Sequence, residues 1–180
     1  TGNLKIGDTL TDGEKLMYTG IPSFSPEIFK EVINKDAMKT KQLEKGLLQL
    51  MEEGVAQLFT YELGKRKVVG VVGALQFEVI QFRLKNEYSA SAEFAGQAIY
   101  KACWISSKDP KKLQEFIDSK QRHIARDKDD KLVFMAESRA WLQMVQDNFP
   151  EINFHFTSEF KDWSEDFFQI ESKAWKNCGI

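Results

Sequence analysis

The feature that most restricts how this chain can fold is a change of hydrophobic period, from two to about three and a half and back, which occurs twice within residues 27–94. Residues 27–34 follow Pro22 and Pro26 and place Ile28, Phe29 and Val32 in an extended stretch. Asp36 then opens a helix in which Leu43, Leu47, Leu50 and Met51 recur at three- and four-residue steps. Gly54 stands just past its end, where a left-handed residue is favoured. Such a helix runs for about 18 residues, or about 27 Å. Gly46, inside it, costs about 1 kcal/mol relative to Ala, so the close approach of another backbone is expected there.

Two β-rich runs follow, 55–63 and 68–72, joined by Gly64, Lys65, Arg66 and Lys67 into a hairpin with a basic tip. The second run, Val-Val-Gly-Val-Val, is apolar on both faces, which predicts a central strand in a covered sheet. A helix over 75–88 carries Phe77, Ile80, Leu84 and Tyr88 on one stripe with Val79 and Phe82 beside it, and a strand over 90–94 closes the unit. The order β-α-β-β-α-β predicts an α+β fold of the split, ferredoxin-like kind, with two helices over one face of a four-stranded antiparallel sheet.

From Gln97 the pattern begins again. A strand over 98–105 precedes a helix over 111–119, for which Asp109 is the N-cap and Pro110 the first helical residue. A strand over 132–136, a helix from its cap Ser138 to Asn148, a stop at Pro150 and a strand over 152–157 complete the half. This second β-α-β-α-β half holds too few apolar residues for a core of its own and is expected to extend the first sheet. Residues 4–10 alternate like the closing strand of something begun upstream, and 11–13 follow as a turn. In the tail, Trp163, Phe167, Ile170 and Ala174 step by four, three and four, so 161–180 is expected to form an amphipathic helix that covers an apolar patch. The expected division is 1–12 as an upstream remnant, 13–160 as the domain and 161–180 as the tail. A first residue Thr1, with no leader pattern behind it, reads as an excised fragment.

Chemistry is sparse. Fourteen Phe and 42% apolar residues can fill a sizeable core. No apolar run approaches the roughly 18 residues needed to cross a bilayer, so a soluble protein with no membrane partner is expected. Cys103 and Cys178 lack metal or redox spacing, as free thiols of a reducing cytoplasm would. A phosphate-binding loop requires G-x-x-x-x-G-K-S/T, and no stretch provides it. Gly64-Lys65 lacks the upstream Gly, and Asn34-Lys35-Asp36-Ala37 has Ala37 where the guanine-reading N-K-x-D pattern requires Asp. Cys103, between Ala102 and Trp104, reads as a small core hydrophobe. His155 lies between two Phe, and with His123 as the one other histidine there is no basis for a metal site. The pairs Glu52-Glu53 and Asp129-Asp130 are chain neighbours that do not converge, and read as solvated charges. No catalytic residue, cofactor site or metal site is therefore expected in this chain.

The informative charges are basic. Lys35, Lys39, Lys41 and Lys45 begin the first long helix while Glu52 and Glu53 end it, opposing the helix dipole by about 0.3–1 kcal/mol per charge. Stability does not explain that order. Lys65, Arg66 and Lys67 form a second patch on the hairpin tip. Each patch is either an ordinary solvated face or a set of phosphate contacts, and the second alternative makes binding fall steeply with salt. The candidate nucleic-acid contacts are thus Lys39, Lys41, Lys45, Lys65, Arg66 and Lys67.

The words Tyr-Thr-Gly-Ile-Pro-Ser-Phe-Ser-Pro-Glu-Ile-Phe (18–29), Lys-Gln-Leu (41–43) with Lys-Gly-Leu (45–47), Glu-Glu-Gly (52–54), Val-Val-Gly-Ala-Leu-Gln-Phe-Glu-Val (71–79) and Arg-Leu-Lys (83–85) occur in this order. Together they resemble the C-terminal region of bacterial peptide-chain release factor three, a translational GTPase. The resemblance implies a parent with a GTPase domain that takes GTP or GDP and Mg, a β-barrel second domain whose last strand is the 1–12 remnant, and this third domain. It also implies binding to the ribosome, through rRNA and ribosomal protein near the small subunit, and recycling of the codon-reading release factors. The domain's expected part is docking and coupling to the parent's other domains, the alternative being a purely structural positioning role. The tail from Lys161 departs from the family's usual ending.

Overall fold

The computed structural model describes residues 25–158 of the 180-residue chain, so the expected strand over 4–10 and tail helix over 161–180 lie outside the described residues. The elements run β1 (Ile28–Asn34), α1 (Thr40–Glu52), β2 (Gln57–Tyr61), β3 (Lys67–Val71), α2 (Leu75–Tyr88), β4 (Ala92–Gly96), β5 (Lys101–Ser106), α3 (Pro110–Ser119), β6 (Ile124–Arg126), β7 (Leu132–Ala136), α4 (Arg139–Asn148) and β8 (Asn153–His155). Short 3-10 turns over Ala37–Lys39 and Gln121–His123 precede α1 and β6.

Local chemistry explains most of these boundaries. Asp109 and Ser138 cap α3 and α4 by accepting from the Lys111 and Trp141 N–H groups. At the end of α1, Gly54 adopts φ 74°, its N–H bonds to Met51 O, and Val55 N–H bonds to Leu50 O, which satisfies the last carbonyls of the helix. The start of α1 differs from expectation. Asp36 caps the 3-10 turn through Met38 N–H at 3.0 Å, and the α-helix proper covers 13 residues from Thr40, shorter than the sequence spacing suggested.

The eight strands form one antiparallel sheet in the order β4-β1-β3-β2-β6-β7-β5-β8. The first four strands stand β4-β1-β3-β2, and the last four, counted from the other edge, stand β8-β5-β7-β6. Each half therefore has the same element order and the same strand order. This corrects the expected β-α-β-α-β second half, which lacked β6. A three-residue strand directly after a 3-10 turn is too short for a period of two to register. The halves meet at β2 and β6 through two residue pairs, Thr60↔Arg126 and Tyr61↔Ala125.

Strand alternation divides the interior into three layers. Leu58, Val69, Val71 and Ala92 turn toward α1 and α2, where Leu43, Leu47, Leu50, Phe77, Ile80 and Leu84 are buried. On the far side of the sheet, Cys103, Ile105, Ile124, Phe134 and Ala136 turn toward α3 and α4 and meet Phe116, Leu142 and Val145. The second half thus has its own helix-side core, contrary to expectation, because four aromatics converge: Phe116 stands 5.0–5.8 Å from Phe134, Phe149 and Phe154. Between the halves lies a third layer of Phe29, Phe59, Tyr61, Val68, Ala102, Trp104, Val133 and Met135. Phe59 of β2 and Trp104 of β5 have ring centroids 6.2 Å apart although three strand steps separate them, about 14 Å in a flat sheet. The sheet is therefore folded over, with the helix-free faces of its two halves packed together.

Candidate functional site

Of the two basic patches, only Lys67 of the hairpin reaches α1, while Arg66 turns to the helix-free side, where it meets Glu31 and Tyr61. Lys67 opens β3 and forms an ion pair with Glu44 on the outer face of α1, one residue before Lys45. The hairpin tip turns through Gly64 and Lys65, both left-handed at φ 78° and 50°. Its cations are satisfied within the chain. Lys65 pairs with Glu62 at 3.2 Å, while Arg66 pairs with Glu31 at 3.2 Å and lies over the Tyr61 ring at 4.8 Å. Glu62 also accepts from Arg126 of β6, and this bond, ahead of the help from Lys65, holds the Glu62 carboxyl below the usual carboxylate range.

The α1 cations are placed differently. Lys39 occupies the N-cap position of α1, where a side-chain acceptor is preferred, and it makes no capping bond. Lys41 and Lys45 are exposed one turn apart on the outer face of α1, alongside Glu44, Leu48, Gln49 and Glu52. Among the described residues, Lys39, Lys41 and Lys45 have no ion-pair partner. Lys35, by contrast, pairs with Glu93 of β4. At the other end of the helix Glu53, expected to be solvated, accepts from Arg83, which also holds Glu87 at 2.7 Å and so ties α1 to α2.

The thiol and imidazole groups do not converge on one another. Cys103 is wholly buried in the helix-side core of the second half, and burial pushes its thiol up to about 12, so it stays protonated and inert. His123 bonds to Glu137 at 3.0 Å and meets the Trp141 ring at a tilt of 57°, with centroids 4.6 Å apart, whereas His155 meets the Ser106 hydroxyl at 2.9 Å. Among the described residues, no three His, Cys, Asp or Glu side chains are grouped so as to hold a metal ion. Nor is any helix there long and apolar enough to cross a membrane.

Two surface features are absent from the sequence expectations. Val79 and Phe82, placed beside the buried stripe of α2, are exposed together with Val72 and Leu75, so that Leu75, Val79 and Phe82 form an outward stripe with Leu75 at 72% and Phe82 at 69% exposure. The signal was available, since α2 carries more apolar positions than one helix face can bury, and the two sets, 77-80-84 and 75-79-82, lie on different faces. The second feature is a cavity beside α4 lined by Tyr100, Arg139 and Phe156. Those residues come from three separate parts of the fold, and no local pattern links them.

One comparison bears on identity. The family model described as class II release factor RF3, C-terminal domain, matches residues 18–146, which covers β1 to β7, ends within α4 before β8, and takes in more than two-thirds of the chain. The words that suggested release factor three thus lie within a match that also extends over most of the second half, and the chain belongs to the family of C-terminal domains of class II release factor RF3, a component of translation termination.

Proposed function

We propose that this domain docks its parent factor on the ribosome through the outer face of α1 and couples that contact to the parent's GTPase and β-barrel domains. The observation that carries the reading is the unpaired row Lys39, Lys41 and Lys45, set at the positive end of α1 where folding stability gains nothing from them. Surface cations without an internal partner are available to phosphates. The hairpin cations Lys65, Arg66 and Lys67 already have carboxylate partners, so their main part is within the chain. On this reading GTP or GDP and Mg bind in the parent's nucleotide domain, the work is done in the cytoplasm, and recycling of the codon-reading release factors follows from it. The strand order β4-β1-β3-β2 with α1 and α2 on one face supports a ferredoxin-like first half, repeated in the second.

The test is co-sedimentation of the parent factor with ribosomes across a salt series. Lys39→Ala, Lys41→Ala and Lys45→Ala together should weaken binding and lower the salt slope by about one for each phosphate that is no longer neutralised. Neutralising Lys65, Arg66 and Lys67 should act chiefly on stability. Unchanged affinity and slope in the α1 variant removes the reading.

A second reading, a positioning domain for the rest of the parent, is favoured by the exposed stripe Val72, Leu75, Val79 and Phe82, an apolar surface of the kind that marks contact with another domain. Leu75→Ser with Phe82→Ser would then alter how nucleotide state changes ribosome affinity in the parent while leaving the α1 salt slope intact.

A further inference from the structure

Beside α4, at the start of β5, lies a cavity of about 280 Å3 with buried Leu142 as its floor and the half-exposed rings of Tyr100 and Phe156 in its walls. Its charges are of one sign. Lys101 and Arg139 line it, and among the described residues no carboxylate does. Lys101 has the same strand parity as Cys103 and Ile105, which face the helices, so its side chain rises on the α4 side of the sheet. Arg139 is the first residue of α4, at the positive end of the helix dipole, where a cation opposes folding stability. Neither side chain has an ion-pair or hydrogen-bond partner among the described residues. Half-buried Gln146, also lining the cavity, leaves its side-chain amide unbonded among the same residues.

That combination narrows the ligand. A cavity just below the ligand-site range of roughly 300–1,000 Å3 holds one ring-sized group and not a larger molecule. Accessible aromatic rings are stacking platforms for a base, unpaired cations are partners for a phosphate, and a free amide bonds a base edge. An acidic peptide would use the cations and leave the rings and the amide without a role.

We propose that this cavity takes one unstacked nucleotide of a single-stranded RNA, its base against Tyr100 and Phe156 and its phosphate at Lys101 and Arg139. The contact is separate from the α1 face, because α1 and α2 cover one outer side of the folded sheet and α3 and α4 the other. It does not rest on the docking role of Lys39, Lys41 and Lys45.

The test titrates the full chain into a fluorescein-labelled oligouridylate of about ten nucleotides, within the span of known single-strand sites, and reads anisotropy. Tyr100→Leu, which removes the ring and keeps an apolar wall, should weaken binding at least about fivefold, the low end of one base stack, and Tyr100→Phe should bind as the wild type does. Arg139→Gln should lower the slope of log affinity against log salt by about 0.7, the share of one phosphate on a single strand. Replacing Lys39, Lys41 and Lys45 by Ala together should leave the loss caused by Tyr100→Leu in place, so that failure of the α1 reading and failure of this one are told apart. Melting temperatures check that each variant folds, and Phe156→Leu takes the place of Tyr100→Leu if the latter unfolds. No binding of the strand by the wild-type chain, or full affinity in both leucine variants, overturns the proposal. Uridine monophosphate binding as tightly as the strand, or an oligoglutamate displacing the strand from the α1 variant at equal concentration, overturns it too, since the site would then belong to a free nucleotide or to an acidic peptide.

Discussion

At Gly46 helix propensity and packing pull in opposite directions. A Cβ there would stand 2.8 Å from Leu84 Cδ2 and 2.8 Å from Tyr88 Cγ, so the close neighbour is the side-chain surface of α2 and not the backbone that the sequence suggested. Ala would add about 1 kcal/mol of helix propensity, but overpacking of this kind costs about 1–3 kcal/mol, and the Tyr88 ring is held at its root where it cannot swing away. Gly46→Ala should therefore lower stability by up to about 2 kcal/mol, seen as a lower denaturant midpoint. A raised midpoint would show that the α1–α2 contact relaxes freely. The sequence revealed that Gly46 is special because Gly inside an amphipathic helix is costly; it could not reveal what approaches, since Leu84 and Tyr88 lie 38 and 42 positions away. The same limit applies to the six candidate cations. Their positions in chain order were plain, but whether each had a carboxylate partner depended on Glu31, Glu44 and Glu62, of which Glu31 comes from another strand and Glu44 from a helix.

Among the elements, the β2–β6 junction is the narrowest point of the sheet, with two residue pairs, and the Glu62–Arg126 ion pair reinforces it. The carboxyl of Glu62 titrates below its ordinary value of 4.5 in the folded chain, chiefly because Arg126 donates to it. A depressed carboxylate contributes stability above the unfolded-state value and loses it as pH falls through the folded-state value. Glu62→Gln should thus cost about 1 kcal/mol at neutral pH, a figure kept small by the partial exposure of both side chains. The gap between wild type and variant should close as pH drops below 4.5, a trend that urea titrations at stepped pH would show. A gap independent of pH would mean that the pair does not carry the effect. α3 and α4, with their side-chain caps, and α2 and β7, with their dense apolar residues, were legible in sequence almost to the residue. β6 was not, because its three residues owe their strand conformation to pairing with Tyr61 on one side and Phe134 on the other.

For the whole molecule, the folded-over sheet makes the interface between the halves a core in its own right. Phe59 and Trp104 are both fully buried in it, and the Trp104 indole N–H donates to Asp127 at 2.8 Å. Trp104→Ala should cost about 3–5 kcal/mol, and because the layer is shared, hydrogen exchange should quicken in α1 and α2 as well as in α3 and α4. Loss of protection confined to the second half would show that the halves fold independently. The sequence by itself determined the alternation of strands and helices except for β6, the inward stripes of the helices, the lack of a phosphate-binding motif in these residues and the family words, because each of these depends on residues within a few positions of one another. Only the tertiary structure decided that the two halves repeat one strand order, that their helix-free faces meet, which lysines remain unpaired and which apolar stripe of α2 stays outside. Those outcomes rest on contacts between residues tens of positions apart, and such contacts are set by how eight short strands close on each other, which no local period encodes.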